Sequence, residues 1–311
     1  MPTAMGLMAS WRVGNKAMEI QCLMYLAYVR VFQGRLQEGV AFGREVLGKS
    51  RELPERAEAM GSPAISLGLL ASGEYEEALE VCLRGTELAR IAQDTFLLWH
   101  NLDHLGRTYE ALLDMQEAPK VYEEALELGG QLGPHYEALS SASLCAVAAL
   151  SENWEEAYPH ARRAHEAGTS FDVLDGLYLH HEALLRGGDE RRAREVVRRF
   201  ADKPRTNERE RIAYLRSMAV LSEFEGDTQR AIGQLDEART LAEKIGLPKE
   251  LWQSQSKIGE LYERCGEDGQ ARKAFFRAAQ TLRMLAGKIR DEELREGFLS
   301  APRVRRVLER N

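Results

Sequence analysis

Small and apolar positions recur along this chain with a helical period inside units and a longer period between them. The segment "GEYEEALEVCLRGTELA", which starts at Gly73, has Ala78 as its anchor. Equivalent anchors fall at Gly39, Ala118, Ala157, Ala193, Ala231 and Ala271, spaced 36 to 40 residues apart. Anchor, +4 and +7 share one face of a helix, and the residues there are mostly small, so a second helix can approach closely. Positions −13 and −9 are mostly apolar and four apart, which defines a second helical face. Between the two faces, at −5, stand Gly34, Gly73, Leu113, Glu152, Gly188, Gly226 and Gly266. A glycine there ends a helix in a left-handed cap. Each unit is therefore predicted to be helix, tight turn, helix, with turns near Gly34, Gly73, Asp114, Asn153, Gly188, Gly226 and Gly266. Almost nothing alternates with period two, so no strands are expected.

Two units carry a recognisable signature. "NLDHLGRTYEALLDMQEAPKVYEEALEL" has Leu105-Gly106, Tyr109, Ala118, Tyr122 and Ala125. "QSKIGELYERCGEDGQARKAFFRAAQTL" has Ile258-Gly259, Tyr262, Ala271, Phe275 and Ala278. The chain thus resembles the tetratricopeptide repeat family, with a period longer than that family's 34 residues. The longer period is similar to the extended arrays inside large bacterial multidomain regulators. The resemblance implies an all-α, right-handed superhelical solenoid of about seven antiparallel helix hairpins. We expect repeats over residues 15–287, capping helices over 288–311, and over 1–14 a remnant helix of a preceding repeat. On that reading the chain is cut from a longer polypeptide. The missing upstream domain would be, by resemblance, an ATP-binding signalling module, a nucleotide cyclase or a kinase.

The resemblance also implies a function: a non-catalytic scaffold that holds a protein or peptide partner in its concave groove, lined by the first helix of each unit. Projecting inward positions from the anchors nominates Tyr28, Phe32, His100, Asp103, Arg107, Tyr178, Arg186, Arg216 and Arg264 as groove residues. The N-terminal end of the groove reads as apolar, and its C-terminal half mixes arginines with carboxylates. Arg107, Arg186, Arg216 and Arg264 are the candidate contacts for a peptide carboxylate, because a guanidinium fork matches its two oxygens. The alternative is an enzyme or small-ligand site inside the solenoid, which would need titratable groups converging on a pocket.

Other signals point away from catalysis. "GREVLGKS", Gly43 to Ser50, matches a phosphate-binding loop, which needs a buried strand before it and a helix after it. Here "LQEGVAF" precedes it and Pro54 follows, so Lys49 is expected to be a solvated cation at a helix end. His100 and His104 are four apart but lack an HExxH pattern and a third ligand, so no metal or cofactor is expected. His180 and His181 fill columns that are otherwise apolar and small, which reads as a local register shift or a functional pair. "RRAREVVRR" holds two core columns, Ala193 and Val197, and the net charge is −7. Nucleic acid is therefore not an expected partner. No apolar run is long enough for a membrane span. Cys22, Cys82, Cys145 and Cys265 form no CxxC pair and read as reduced thiols of a cytoplasmic protein.

Overall fold

The computed structural model describes residues 16–51, 55–167, 176–201 and 207–311. The remnant helix expected over 1–14 and the break at Pro54 lie outside the described part. The described residues form helices and no strands. They are α1 (Lys16–Phe32), α2 (Leu36–Ser50), α3 (Glu55–Ser72), α4 (Tyr75–Ile91), α5 (Thr95–Ala111), α6 (Glu117–Leu132), α7 (Pro134–Leu150) and α8 (Trp154–Glu166). There follow α9 (Leu177–Arg186), α10 (Glu190–Ala201), α11 (Glu208–Phe224), α12 (Thr228–Ile245), α13 (Pro248–Arg264), α14 (Asp268–Lys288), α15 (Glu292–Ser300) and α16 (Pro302–Glu309). Through α14 they pair as antiparallel hairpins that stack into a solenoid.

Each hairpin turn is built the same way. The residue at −5 has positive φ, from +58° at Leu113 to +82° at Gly226. The next residue donates its N–H five residues back, as in Glu74 to Leu69, Asn153 to Ala148 and Glu267 to Tyr262. That bond satisfies a carbonyl left open at the helix end. Where the next residue is Asp or Asn, its side chain also accepts an N–H of the following helix. Asp114 does so from Glu117, Asn153 from Glu156, Asp189 from Arg192 and Asp227 from Arg230. One short turn thus closes one helix and opens the next.

The packing follows the small-residue columns. Ala78, Ala118, Ala157, Ala193 and Ala231 are fully buried. At −12, Gly106 faces the ring of Tyr122 and Gly259 that of Phe275; a Cβ on either glycine would come within 2.4 and 2.8 Å of that ring. The aromatic at +4 therefore fits over a glycine in the partner helix.

His180 and His181 do not mark a register shift. Gly188 keeps the left-handed turn, and Ala193 keeps its buried anchor position. Both imidazoles are buried where their columns place them. His180 Nε2 donates to the Ala142 carbonyl of α7 and His181 Nδ1 to the Ser217 carbonyl of α11, each at 2.8 Å. They brace α9 to its neighbours on either side, because a buried polar ring must find a partner.

The solenoid coils back onto itself. Val31, Leu36, Leu67 and Ala71 share a core with Ile212, Leu215, Ala238 and Leu247. Tyr75 and Leu113 share another with Trp252, Phe275, Leu285 and Phe298. Gly73 needs its missing side chain twice over: its φ is +76°, and a Cβ would lie 2.4 Å from Leu285. Lys249 of α13 meets Glu110 of α5 at 2.7 Å, and Lys288 meets Glu74 at 2.8 Å.

Candidate functional site

This closure divides the nine projected groove residues. Tyr178, Arg186, Arg216 and Arg264 line one cavity of about 490 Å³ in the C-terminal half. Its walls are the first helices of three successive hairpins, α9, α11 and α13, together with the start of α8 and one face of α16. The other five lie elsewhere. Tyr28 bonds His100 at 3.2 Å, and His100 stacks on His104 at 5.2 Å between centroids. Arg107 pairs with Asp103 of its own helix at 2.8 Å. Phe32 is 40% exposed, with the Arg209 guanidinium 5.7 Å from its ring centroid. The expected apolar, open N-terminal groove is instead largely filled by contact between coils. Among the described residues, a space of about 40 Å³ lies beside Arg107, Glu110 and Lys249.

Cations dominate the cavity: among the described residues, seven Arg and Lys side chains line it against five glutamates. Arg186 bonds Glu182 one turn back and lies 4.3 Å from the Trp154 ring centroid. Glu223 accepts from Lys257 at 2.9 Å and Arg264 at 2.7 Å. Burial alone would raise the Glu223 carboxyl, but these two cations hold it below its usual range. The Arg306 bond, reinforced by the charges of Arg303 and Arg186, holds Glu152 low as well.

Arg216 differs from the rest. It is only 4% exposed, its guanidinium lies 3.8 Å from the Tyr178 ring centroid, and it donates to Gln253 Oε1 at 2.7 Å. Among the described residues it has no carboxylate partner. Burying a charge without a counter-charge is costly. The Tyr178 ring offsets part of that cost through its negative face. A charged donor facing a cavity in this state suits an anionic ligand.

Sequence reasoning missed Arg303, Arg306 and Arg310, which close this cavity from α16. Their spacing, i, i+3 and i+7, marks a basic stripe that runs beside the buried Val304 and Val307. That stripe was visible, but the surface it would face was not.

The remaining candidates resolve structurally. Gly43 to Ser50 lie within α2, with no strand before them. A Cβ on Gly43 would come within 2.7 Å of the Ile65 backbone, so this glycine serves helix packing. Lys49 is 40% exposed and pairs with Glu19 at 3.0 Å and Glu45 at 3.7 Å. Ser66 and His104 share a 2.7 Å hydrogen bond like that of a nucleophile and its base. Ser66 is fully buried, however, and lines none of the cavities described. No helix among the described residues is long and apolar enough to cross a membrane.

Neither a known family profile nor a curated protein matches the sequence. Solved structures do share the fold. A Rap protein complexed with competence and sporulation factor is 11% identical, with a TM-score of 0.67 over 88% of this chain and 77% of that one. The Rap conjugation gene regulator of plasmid pLS20, in complex with the Phr* peptide, is 14% identical, with a TM-score of 0.69 over 89% and 78%. The Cut9–Hcn1 hetero-tetramer of the APC/C is 14% identical, with a TM-score of 0.56 over 94% of this chain and 55% of that one. The fold is thus an all-α solenoid of tetratricopeptide type.

Proposed function

We propose that this chain is a peptide-binding scaffold whose ligand places a carboxylate against Arg216 in the C-terminal half of the groove. The observation that carries this is Arg216 itself: a buried guanidinium facing a cavity, held by a ring and an amide rather than a carboxylate. Arg186 and Arg264 lie on the same walls and extend the cationic surface. Two solenoids of the same fold are described as complexed with a factor or a peptide, which supports a peptide as the ligand class. Binding rather than catalysis is supported by the titratable groups present. Glu152 and Glu223 are both held ionised by cations, which leaves neither poised as a general acid near neutrality. Among the described residues, no histidine or cysteine lines the cavity.

Calorimetric titration tests the reading with acidic pentapeptides carrying free or amidated C-termini, against wild type and Arg216→Gln. A charge-assisted hydrogen bond contributes ~1.5–3 kcal/mol, so Arg216→Gln weakens binding of the favoured peptide about tenfold or more. Equal affinity for wild type and variant, with both folded by circular dichroism, overturns it.

A further inference from the structure

A second cavity, about 1030 Å³, lies on the other side of α16. Its floor is apolar. Leu79 and Leu83 come from α4, Leu112 and Met115 from the α5–α6 turn, and Leu294 and Phe298 from α15. Leu83 is 47% exposed there although it is a large aliphatic side chain. Glu76, Leu79, Glu80 and Leu83 form one helical stripe of α4 along the groove, spaced as a partner helix would read it.

The charge on its rim has one sign over most of its length. Glu76, Glu80, Asp114, Asp291 and Glu293 line it, and none of them forms an ion pair with a cation among the described residues. Glu76 accepts only backbone N–H groups, from Arg290 and Asp291. Asp114 and Asp291 cap helix N-termini. Glu80 and Glu293 are exposed. Arg303 and Arg306 stand only at the end shared with the first cavity. Elsewhere on this molecule surface carboxylates are commonly paired, as Glu77 is with Arg44 and Glu124 with Arg90.

Gly297 adds a separate observation. It is the sixth residue of the nine-residue α15, where glycine is unfavourable relative to alanine. Its φ is not positive, and a Cβ there would meet nothing within 4 Å. Nothing inside the molecule requires glycine at this place. It leaves the α15 backbone bare beside the groove, where another backbone can approach closely.

We propose that this groove is a docking site for a basic amphipathic helix of a partner protein. The helix sets its apolar face over Leu83 and Leu294, its backbone passes Gly297, and its Lys or Arg residues meet Glu80 and Glu293. The charge excludes an acidic partner, and the apolar floor distinguishes the site from a merely solvated acidic surface. This site is separate from the carboxylate site around Arg216 and stands whether or not that site binds peptide.

The probes are a 20-residue Leu/Lys amphipathic helix and its Leu/Glu counterpart, read by fluorescence anisotropy at physiological salt. The Leu/Lys helix binds wild type and the Leu/Glu helix does not. Gly297→Trp fills the groove and weakens binding about tenfold or more, as expected when a central contact is blocked. Glu80→Lys with Glu293→Lys weakens it roughly fivefold, the size of two lost rim pairs. Glu123→Lys with Glu127→Lys makes the same net charge change on α6, away from the groove, and leaves affinity unchanged. Gly297→Ala, which keeps the groove open and favours the helix, preserves the fold if the tryptophan variant proves unstable, and it too weakens binding by keeping the backbones apart. Equal loss in the α6 control means that binding is general electrostatics and overturns the proposal. So does equal binding of both probes, or of neither. Dimerisation of wild type that Gly297→Trp abolishes, seen by sedimentation, would instead assign the face to a second copy of this chain.

Discussion

Arg306 donates to Glu152 across 154 residues of sequence, and Glu152 holds a left-handed backbone conformation, φ +61°, that glycine takes in five of the seven equivalent turns. The only other exception among those turns is Leu113, at +58°. Both exceptions face the C-terminal helices. Leu113 is buried in the cluster around Phe298, and Glu152 reaches α16. The side chain is kept at these two turns because the tail packs over them.

The two sites should respond oppositely to glycine. A non-glycine residue in this conformation costs ~1–2 kcal/mol. The Glu152–Arg306 pair is about half exposed and so contributes no more than ~1 kcal/mol. Glu152→Gly should therefore be neutral or stabilising by up to ~1 kcal/mol, after the added flexibility of the unfolded chain is counted. Leu113→Gly relieves the same strain but loses a buried side chain, and should destabilise by about 2 kcal/mol. Urea midpoints of the two variants check the contrast, and a shift of the same sign in both contradicts it.

Ala118→Trp should destabilise by ~1–3 kcal/mol or more, because the fully buried anchor between α5 and α6 has no room for an indole. Arg107→Ala loses a partly exposed pair within its own helix and removes no packed core side chain, so it should lower the melting temperature far less. Differential scanning calorimetry of both variants gives the comparison. Arg107 is not among the residues that line the first cavity, so its loss should leave peptide affinity unchanged.

Lys49→Ala should change neither stability by more than ~0.5 kcal/mol nor any nucleotide affinity. Its ion pairs with Glu19 and Glu45 are at the surface, where such pairs contribute little. Titration with ATP and magnesium is the check. An affinity that disappears in the variant would restore the phosphate-loop reading of Gly43 to Ser50.

Stability should fall as pH drops from about 6.5 toward 4. Burial lowers His180 and His181 to about 4 in the folded protein, against ~6.5 unfolded. The unfolded chain therefore takes up protons first, and each proton it alone holds favours unfolding. His104, also lowered by burial, adds to the same trend. Carboxylates held low, such as Asp94 and Glu223, act with the same sign but below their usual values near 4. The double variant His180→Gln, His181→Asn keeps an N–H donor near each ring position. It should show a smaller loss of urea stability between pH 7.5 and 5.0 than wild type.

The hairpins were legible in the sequence because they are local. Ala118, Tyr122 and Gly106 lie within one unit, and their spacing states their contact. The cationic half of the groove was legible for the same reason: Tyr178, Arg186, Arg216 and Arg264 follow from one projection applied to three successive units. Lys249 meeting Glu110 had no such signal. Superhelical pitch decides that contact, and pitch sums small rotations that no column records. The same holds for Arg303 and Arg306, whose stripe was visible but whose destination depended on where α7 ends. His180 and His181 misled because the column averages were apolar, while carbonyls on α7 and α11 were there to receive them.

An open solenoid is nearly one-dimensional: each unit leans only on its neighbours, and the ends can fray while the middle holds. The ties from Lys249 to Glu110 and from Lys288 to Glu74 remove that freedom here. The first coil is part of the floor on which the last one rests, so loosening either end withdraws support from the other. The array should melt as one block rather than from its tips. Its folding must also wait for contacts between distant parts of the chain, which places it among slow folders despite its helical content.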